Sequence, residues 1–484
     1  MASSRLSPAR RVALSILDEV RRRDGYARDV MDASPDLRAL DARDAGLARR
    51  LVLGTTAAEG CLDELLDRFL ARPRKVAPRV RIALRLSTFE LLYRDVPAEV
   101  AVSQGVELAR LAGRGATGLA NAVLRKVAAA RAGYLGAQDV CAADRGLVRL
   151  ARAAGLPVWL ASEISGSRGT AALDSLAAAE LEPAPNAAHA NALGALDAVL
   201  RGPAPSPDAV AAEEGRPEAS ACPLPGCIAP ADIRSLVASG AFARADAVAS
   251  DVHAQLIATA ATRPGSCLEI GAGRGTKSYV MASQAVRAGY ARAHVALDLY
   301  EAKCRQNTER IERAGLPGVT AVAGDARDLD TALLGWDGTA SGGRYLFDTV
   351  FVDAPCSGTG TMRRHPEIPW RLTSKDVNRD LPELQFALLT QAAARVSPGG
   401  ELLYATCSVL RQENEAVVDD FLSAPQGVGF KLVPLSEAEI FRHPAFKQDA
   451  AIIKEHETDG GFFQTVPAPG AYDGHFCARL VKVI

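Results

Sequence analysis

The sequence predicts a multidomain chain: an all-α domain over 1–132, a linker and small α+β domain over 133–250, and a doubly wound α/β domain over 251–484. Three observations carry this expectation. Apolar residues recur every three or four positions up to about residue 131, strands alternate with helices from 251 onward, and a glycine loop follows the first of those strands.

The helical pattern runs through ARRVALSILDEVRR (9–22), AGLARRLVLGTTAAEGCLDELLDRFL (45–70) and RVRIALRLSTFELLYR (79–94). Pro35, Pro73, Pro78 and Pro97 interrupt it, and Gly113 and Gly115 precede a last helix, GLANAVLRKVAAAR (118–131). Residues 1–132 hold 24 Lys and Arg against 16 Asp and Glu, a net +8 in a chain whose total is −1. A basic module of this kind can supply the salt-dependent phosphate attraction of nucleic-acid binding. A solvated charged surface would have the same composition. Residues 133–155 are expected to be a linker or bridging helix. Residues 156–250 are Ala- and Pro-rich, with a loop-like stretch, RGPAPSPDAVAAEEGRPEASACPLPG, over 201–226.

From Asp251 the texture changes. Strands are expected at SCLEI (266–270), AHVALD ending at Asp298, VTAVAGD ending at Asp325, DTVFVDAPC ending at Cys356 and ELLYATC ending at Cys407. Helices are expected from about Tyr279, over EAKCRQNTERIERAG (301–315), over about 379–396 and over RQENEAVVDDFL (411–422). The turn SPGG (397–400) precedes the fifth strand, and GFFQTVP and HFCARLVKV suit an antiparallel hairpin at one sheet edge.

With 48% hydrophobic and 23% charged residues the chain has the composition of a globular protein. No apolar run has membrane-spanning length, and MASSRLSPARR lacks the apolar core of a signal peptide. A cytoplasmic location without membrane contact is expected. Nine scattered cysteines give no disulfide framework, and Cys222 and Cys227 lack a second pair at ligand spacing, so no metal site is expected.

In an open α/β sheet, ligands bind beyond the carboxyl ends of the strands, where every chemical motif of this chain falls. Gly271, Gly273 and Gly275 permit a tight turn and close approach of the backbone to a ligand. Asp298 stands where a carboxylate can take the ribose hydroxyls of a nucleoside cofactor, and Asp325 where a side chain can reach an adenine amino group. NAD is the competing ligand, but its G-x-G-x-x-G fingerprint has Thr276 at the sixth position here. The G-x-G-x-G spacing is more typical of S-adenosyl-L-methionine enzymes.

Carbon 5 of cytosine is a poor nucleophile. Adding a thiolate at C6 pushes electron density onto C5, and this chemistry needs a thiolate, an acid at the N3/N4 edge and a group that helps release. Cys407, Asp353 and Cys356 stand at the ends of two strands expected to be neighbours. A single cysteine at a strand end is more often packing filler. Two, in DAPCSGTG and YATCS, are harder to dismiss. Amino-group methyltransferases usually carry an aromatic residue where Cys356 stands, which favours C5 over nitrogen as the target.

DAPCSGTGTMRRHPEI (353–368), YATCSVLRQENE (404–415), DGHFCARL (473–480) and SDVHAQ (250–255) resemble the signature segments of RNA cytosine-5 methyltransferases, although a second Phe is usual at His475. VLGTT (52–56), FELLY (89–93) and NAVLRK (121–126) resemble the NusB fold. A NusB-like domain fused to such a catalytic domain is the architecture of the Sun/RsmB group, which methylates 16S ribosomal RNA. The resemblance implies Cys407 as nucleophile and Cys356 as the group assisting release; DNA cytosine-5 enzymes use the P-C cysteine as nucleophile instead. Lys277 matches the lysine of the family's cofactor loop, though an ordinary lysine at a helix start is the alternative. The family's loop commonly reads D-x-C/A-A-P-G-G-K-T, whereas EIGAGRGTKS (269–278) places Arg274 at the Pro and Thr276 at the second Gly. A basic, asparagine-containing strand is expected near 186–192, where the chain reads NAAHANA. Arg363, Arg364 and His365 could track the phosphates of a single-stranded substrate. RNA is the expected partner and a monomer the expected state. The competing classes are an inactive RNA-binding assembly factor, suggested by Arg274 and Thr276, and a NAD-dependent oxidoreductase.

Overall fold

A computed structural model describes residues 6–94, 96–194, 224–228, 233–334 and 345–483. Most of the loop-like stretch at 201–226, with Cys222, lies outside them. The chain divides into two compact units, one of 1–183 with 361–374 and 467–469, the other of 184–360, 375–466 and 470–484.

The first unit is helical: α1 (Pro8–Arg23), α2 (Ala27–Ala33), α3 (Pro35–Arg38), α4 (Ala42–Ala57), α5 (Glu59–Asp67), α6 (Pro78–Tyr93), α7 (Ala98–Ala112), α8 (Ala116–Leu135), α9 (Arg145–Ala154), α10 (Val158–Arg168) and α11 (Thr170–Ala179). Pro8, Pro35 and Pro78 open their helices, where a missing N–H costs nothing. The Asp41 carboxylate caps α4 by accepting from the Asp44 amide at 2.8 Å. Leu14, Leu51, Leu62, Phe89 and Leu124 form the buried stripe that the periodicity foretells.

The boundary expected at 132 falls inside α8; of the two expectations for 133–155 the helix is the one found, as α9, and helices continue to Ala179. Arg152 explains the continuity. Its buried guanidinium pairs with Glu64 at 2.6 Å and Asp139 at 2.7 Å and lies 4.0 Å over the Tyr134 ring, tying α9 to α5 and α8. Residues 361–374 also pack in this unit. The Trp370 indole donates to the Ala57 carbonyl at 2.6 Å, and a Cβ on Gly60 would come within 2.1 Å of that ring.

In the second unit a small antiparallel sheet, β1 (Ala188–Ala190), β2 (Cys227–Ile228) and β3 (Ala247–Ala249), has the order β2-β1-β3. The strand foreseen near 186–192 is β1, and Asn191 beside it donates to the Ala314 carbonyl at 2.7 Å. Helices α12 (Ile233–Ala238) and α13 (Val252–Ala260) flank β3.

The main sheet contains β4 (Gly265–Ile270), β5 (Arg292–Asp298), β6 (Val319–Ala323), β7 (Phe347–Asp353), β8 (Val396–Thr406), β9 (Phe430–Val433), β10 (Phe463–Gln464) and β11 (Phe476–Lys482). Its order is β10-β11-β8-β7-β4-β5-β6, parallel from β6 to β8, with β11 antiparallel and paired also to β9. Alternate residues load opposite faces: Phe351, Leu403 and Cys477 join one core, while Val350, Leu402 and Leu480 join the other. Helices α14 (Thr276–Ala288), α15 (Glu301–Ala314), α16 (Leu381–Ala393) and α17 (Glu415–Ser423) accompany it.

Four local expectations change. Helix α14 starts at Thr276 rather than near Tyr279, and SPGG lies within β8, where the pairing with β7 shifts register. Strand β9, too short to show a period, was not foreseen. Strands β6, β7 and β8 stop at Ala323, Asp353 and Thr406, so Asp325, Cys356 and Cys407 belong to the loops that follow.

Candidate active site

Strand order reverses between β4 and β7, so the crevice of the sheet opens at their carboxyl ends. Gly271, Gly273 and Gly275 leave β4 with φ of 81°, 58° and 78°, a conformation open chiefly to glycine. A Cβ on Gly271 would stand 2.2 Å from the Asp353 carbonyl oxygen, and one on Gly275 would stand 2.0 Å from Asn307 Oδ1. Glycine is what lets the loop fit between β7 and α15.

Asp298, at the end of β5, is buried. Its Oδ2 accepts from the Gly273 amide at 2.9 Å and its Oδ1 from the Tyr300 amide at 3.0 Å. The carboxylate is therefore fixed against the glycine loop. Asp325 sits two residues past β6 and is clasped by Arg327, whose Nη2 lies 2.6 Å from Oδ2. The Arg327 side chain, and then its amide, hold the Asp325 carboxyl below the usual carboxylate range.

Lys277, in the first turn of α14, reaches Asp353 at the end of β7, with Nζ to Oδ2 at 2.6 Å. Burial pushes the Asp353 pKa up, and the charges of Glu269 and Asp298 add to it against the pull of Lys277. Burial opposes the Lys277 charge, but Asp353 outweighs it and raises the Lys277 pKa, with Cys407 and Glu269 contributing. The ammonium thus serves a carboxylate and a thiol together.

Cys356 and Cys407, 51 positions apart, bring their sulfurs to 3.4 Å, a hydrogen-bond contact well beyond a disulfide length. The hydrogen bond with Cys407, then burial, drive the Cys356 pKa well above the ordinary thiol range, so Cys356 keeps its proton at neutral pH. A protonated Cys356 thus stands in hydrogen-bond contact with Cys407.

What holds the two cysteine loops together escaped the sequence reading. Glu413 is fully buried, and its carboxylate accepts from the Ser357 amide at 2.7 Å, from Ser408 Oγ at 2.7 Å and from Gln385 Nε2 at 3.1 Å. Thr359 Oγ1 accepts from the Val409 amide at 3.0 Å, and the Gly360 amide donates to the Cys407 carbonyl at 2.8 Å. RQENE (411–415) stands both in the signature-like segment and in the expected helix, but neither assigns Glu413 this role. A buried charge-assisted cluster of this kind fixes a loop more firmly than its sequence suggests.

Arg363 does not track an open groove. It is buried, donating from Nη1 to the Ala468 carbonyl at 3.3 Å, and Arg364 gives its carbonyl to Arg28. Packing within the helical unit thus takes Arg363, while Arg364 is half-buried and His365 exposed.

The sequence model of the family described as 16S rRNA methyltransferase RsmB/F matches residues 259–481, and that of the NusB family matches 7–129. The chain is 30% identical over 480 residues to the ribosomal RNA small subunit methyltransferase B of Thermus thermophilus, covering 99% of each. It is 28% identical over 484 residues to the probable ribosomal RNA small subunit methyltransferase B of Bacillus subtilis, covering 98% of each. Among solved structures, that of PH0851 aligns over 99% of both chains with a TM-score of 0.67 at 20% identity, a likeness of fold.

Proposed function

Because the chain belongs to the RsmB/F family of 16S rRNA methyltransferases, we propose that it methylates carbon 5 of a cytosine in 16S ribosomal RNA through a covalent adduct to Cys407. The observation that carries this reading is the 3.4 Å contact between the Cys356 and Cys407 sulfurs. Packing alone gives no reason to set two thiols side by side in the crevice of an α/β sheet, next to a Lys277–Asp353 pair.

Gly271, Gly273, Gly275 and Asp298 fit a nucleoside cofactor: the three glycines have no side chains to block approach, and a buried carboxylate is fixed against the loop. Lys277 and Asp325 are the further candidates to hold it. S-adenosylmethionine, when bound, supplies an electrophilic methyl group. Cys407 adds to C6 of the cytosine, and the Lys277–Asp353 pair, whose Nζ and Oδ2 lie 2.6 Å apart, supplies a proton at the N3/N4 edge as negative charge develops there. Lys277 stabilises the thiolate and the carboxylate between turnovers. Cys356 stays neutral during addition and assists the elimination, in which H5 leaves to a water beside it, the C5–H5 electron pair re-forms the C5–C6 double bond, the C6–S pair returns to Cys407 and the ring proton goes back to the Lys277–Asp353 pair. The same retained thiols speak against an inactive assembly factor.

Methyl transfer to unmodified 16S ribosomal RNA, with mapping of the product, tests the reading. Cys407→Ala should abolish both methylation and any covalent complex. Cys356→Ala should still add to the base but release it slowly, so an RNA adduct stable to denaturing electrophoresis accumulates. If the adduct appears with Cys407→Ala and vanishes with Cys356→Ala, the roles are reversed. If neither substitution changes activity, the mechanism is wrong.

A further inference from the structure

Several arginines with structural roles in this chain are matched by carboxylates. Arg85 takes Asp63, Arg152 takes Glu64 and Asp139, and Arg479 takes Glu401. Arg274, Arg310 and Arg313 do otherwise. They line a cavity of about 420 Å³ together with Thr276 and with Val248 and Ala249 of the edge strand β3. None of the three makes an ion pair among the described residues. Arg310 donates to Thr276 Oγ1 at 3.1 Å and Arg313 to the Ala243 carbonyl at 3.1 Å, which leaves most of their N–H groups, and all of those of Arg274, unspent. Glu309 is the single carboxylate in the lining.

The cationic character is self-opposed. Burial, and then the charges of Arg274 and Arg313, lower the proton affinity of Arg310. An anion entering the cavity would relieve that repulsion. The amino end of the 13-residue helix α14 also opens here at Thr276, adding its partial positive charge. Asp298, Asp325, Asp353, Cys356 and Cys407 are all absent from the lining, so the cavity is separate from the crevice described above.

We propose that this cavity binds a phosphodiester of the RNA substrate, gripped by Arg274, Arg310 and Arg313. The inference rests on the reading of the chain as an RNA methyltransferase. Guanidinium groups match the paired oxygens of a phosphate, and backbone contacts fix the register in which a substrate lies. Arg274 and Thr276, which depart from the family's usual loop, then have a joint purpose. The loop that faces the crevice with glycine faces the RNA backbone with arginine.

Arg274 and Arg313 are both exposed, so replacing them with glutamine should leave folding intact. Binding of unmodified 16S ribosomal RNA to the full chain is measured across a salt series for wild type, Arg274→Gln, Arg313→Gln and the double variant. Each substitution should weaken binding several-fold, and the double variant should do so by about tenfold or more. The slope of log affinity against log salt should flatten by about 0.7–0.9 for a lost phosphate contact. Affinity for S-adenosylmethionine should be unchanged in Arg313→Gln. RNA affinity and slope indifferent to the arginines would overturn the site while leaving the proposed function standing. Loss of cofactor affinity in Arg313→Gln with RNA binding intact would make the cavity a cofactor subsite instead. Failure of the wild type itself to bind RNA would overturn the functional reading and this site with it.

Discussion

Single residues in this protein acquire their chemistry from what surrounds them, and Asp449 shows it away from the crevice. It is 1% exposed, neither carboxylate oxygen finds a hydrogen-bond partner, and burial pushes its pKa up to about 7. The unfolded chain gives up this proton near pH 4, whereas the folded chain holds it to about 7. Between those values the native state binds more protons, so stability falls as pH rises through that window and stays reduced above it. The full effect is at most about 4 kcal/mol, three units at about 1.4 kcal/mol each. Asp449→Asn should therefore raise the thermal midpoint at pH 8 and remove most of the decline between pH 5 and 8. Parallel pH profiles for the two proteins would show that Asp449 finds a partner in solution. In the crevice the same physics is useful: burial raises the Asp353 pKa, and contact with Cys407 keeps Cys356 protonated.

Among elements, the segment 361–374 does what no periodicity foretells. It follows directly on the DAPCSGTG loop in sequence, yet it packs within the helical unit through Trp370 and through Glu367, which accepts from the Ala27 amide. Arg371 lies 4.7 Å over the Tyr26 ring and donates to the Gly25 carbonyl at 3.1 Å. Gly60 is the receiving surface, since an added methyl would meet the Trp370 ring. Gly60→Ala should cost roughly 1–3 kcal/mol through overpacking. In a Trp370→Ala background the same change should become neutral or stabilising by up to about 1 kcal/mol, because alanine is the better helix former. Thermal or denaturant unfolding of the four proteins gives the coupling directly. Additive effects would mean that Trp370 does not rest on α5.

On the scale of the whole chain, the helical unit is larger than its sequence signature. A chain beginning at residue 133 removes Glu64 and Tyr93, which bind the Arg152 side chain and its carbonyl, and uncovers the apolar surface of α9 and α10. Breaking a buried ion pair by removing one partner costs about 3–5 kcal/mol. Residues 145–179 should then be cut rapidly in limited proteolysis, while the full chain protects them. Equal protection would make that stretch an independent module. The positive balance of 1–132 is consistent with RNA attraction, but 24 basic residues include several, such as Arg81 and Arg85, that are spent on internal carboxylates.

The fold classes and the strand-end positions of the crevice residues are written in the chain itself. Periods of 3.6 and 2, glycine turns and strand-end positions are local properties, readable wherever a few consecutive residues decide the conformation. Gly271, Asp298, Asp353, Cys356 and Cys407 were legible because an open α/β sheet gathers its strand ends at one edge. Long-range packing brings the thiols into contact, locks their loops together through Glu413 and buries Arg363. It also carried the helical unit past residue 132 and set three arginines around one cavity. These depend on contacts between residues tens or hundreds of positions apart, and such contacts leave no period in the chain that makes them.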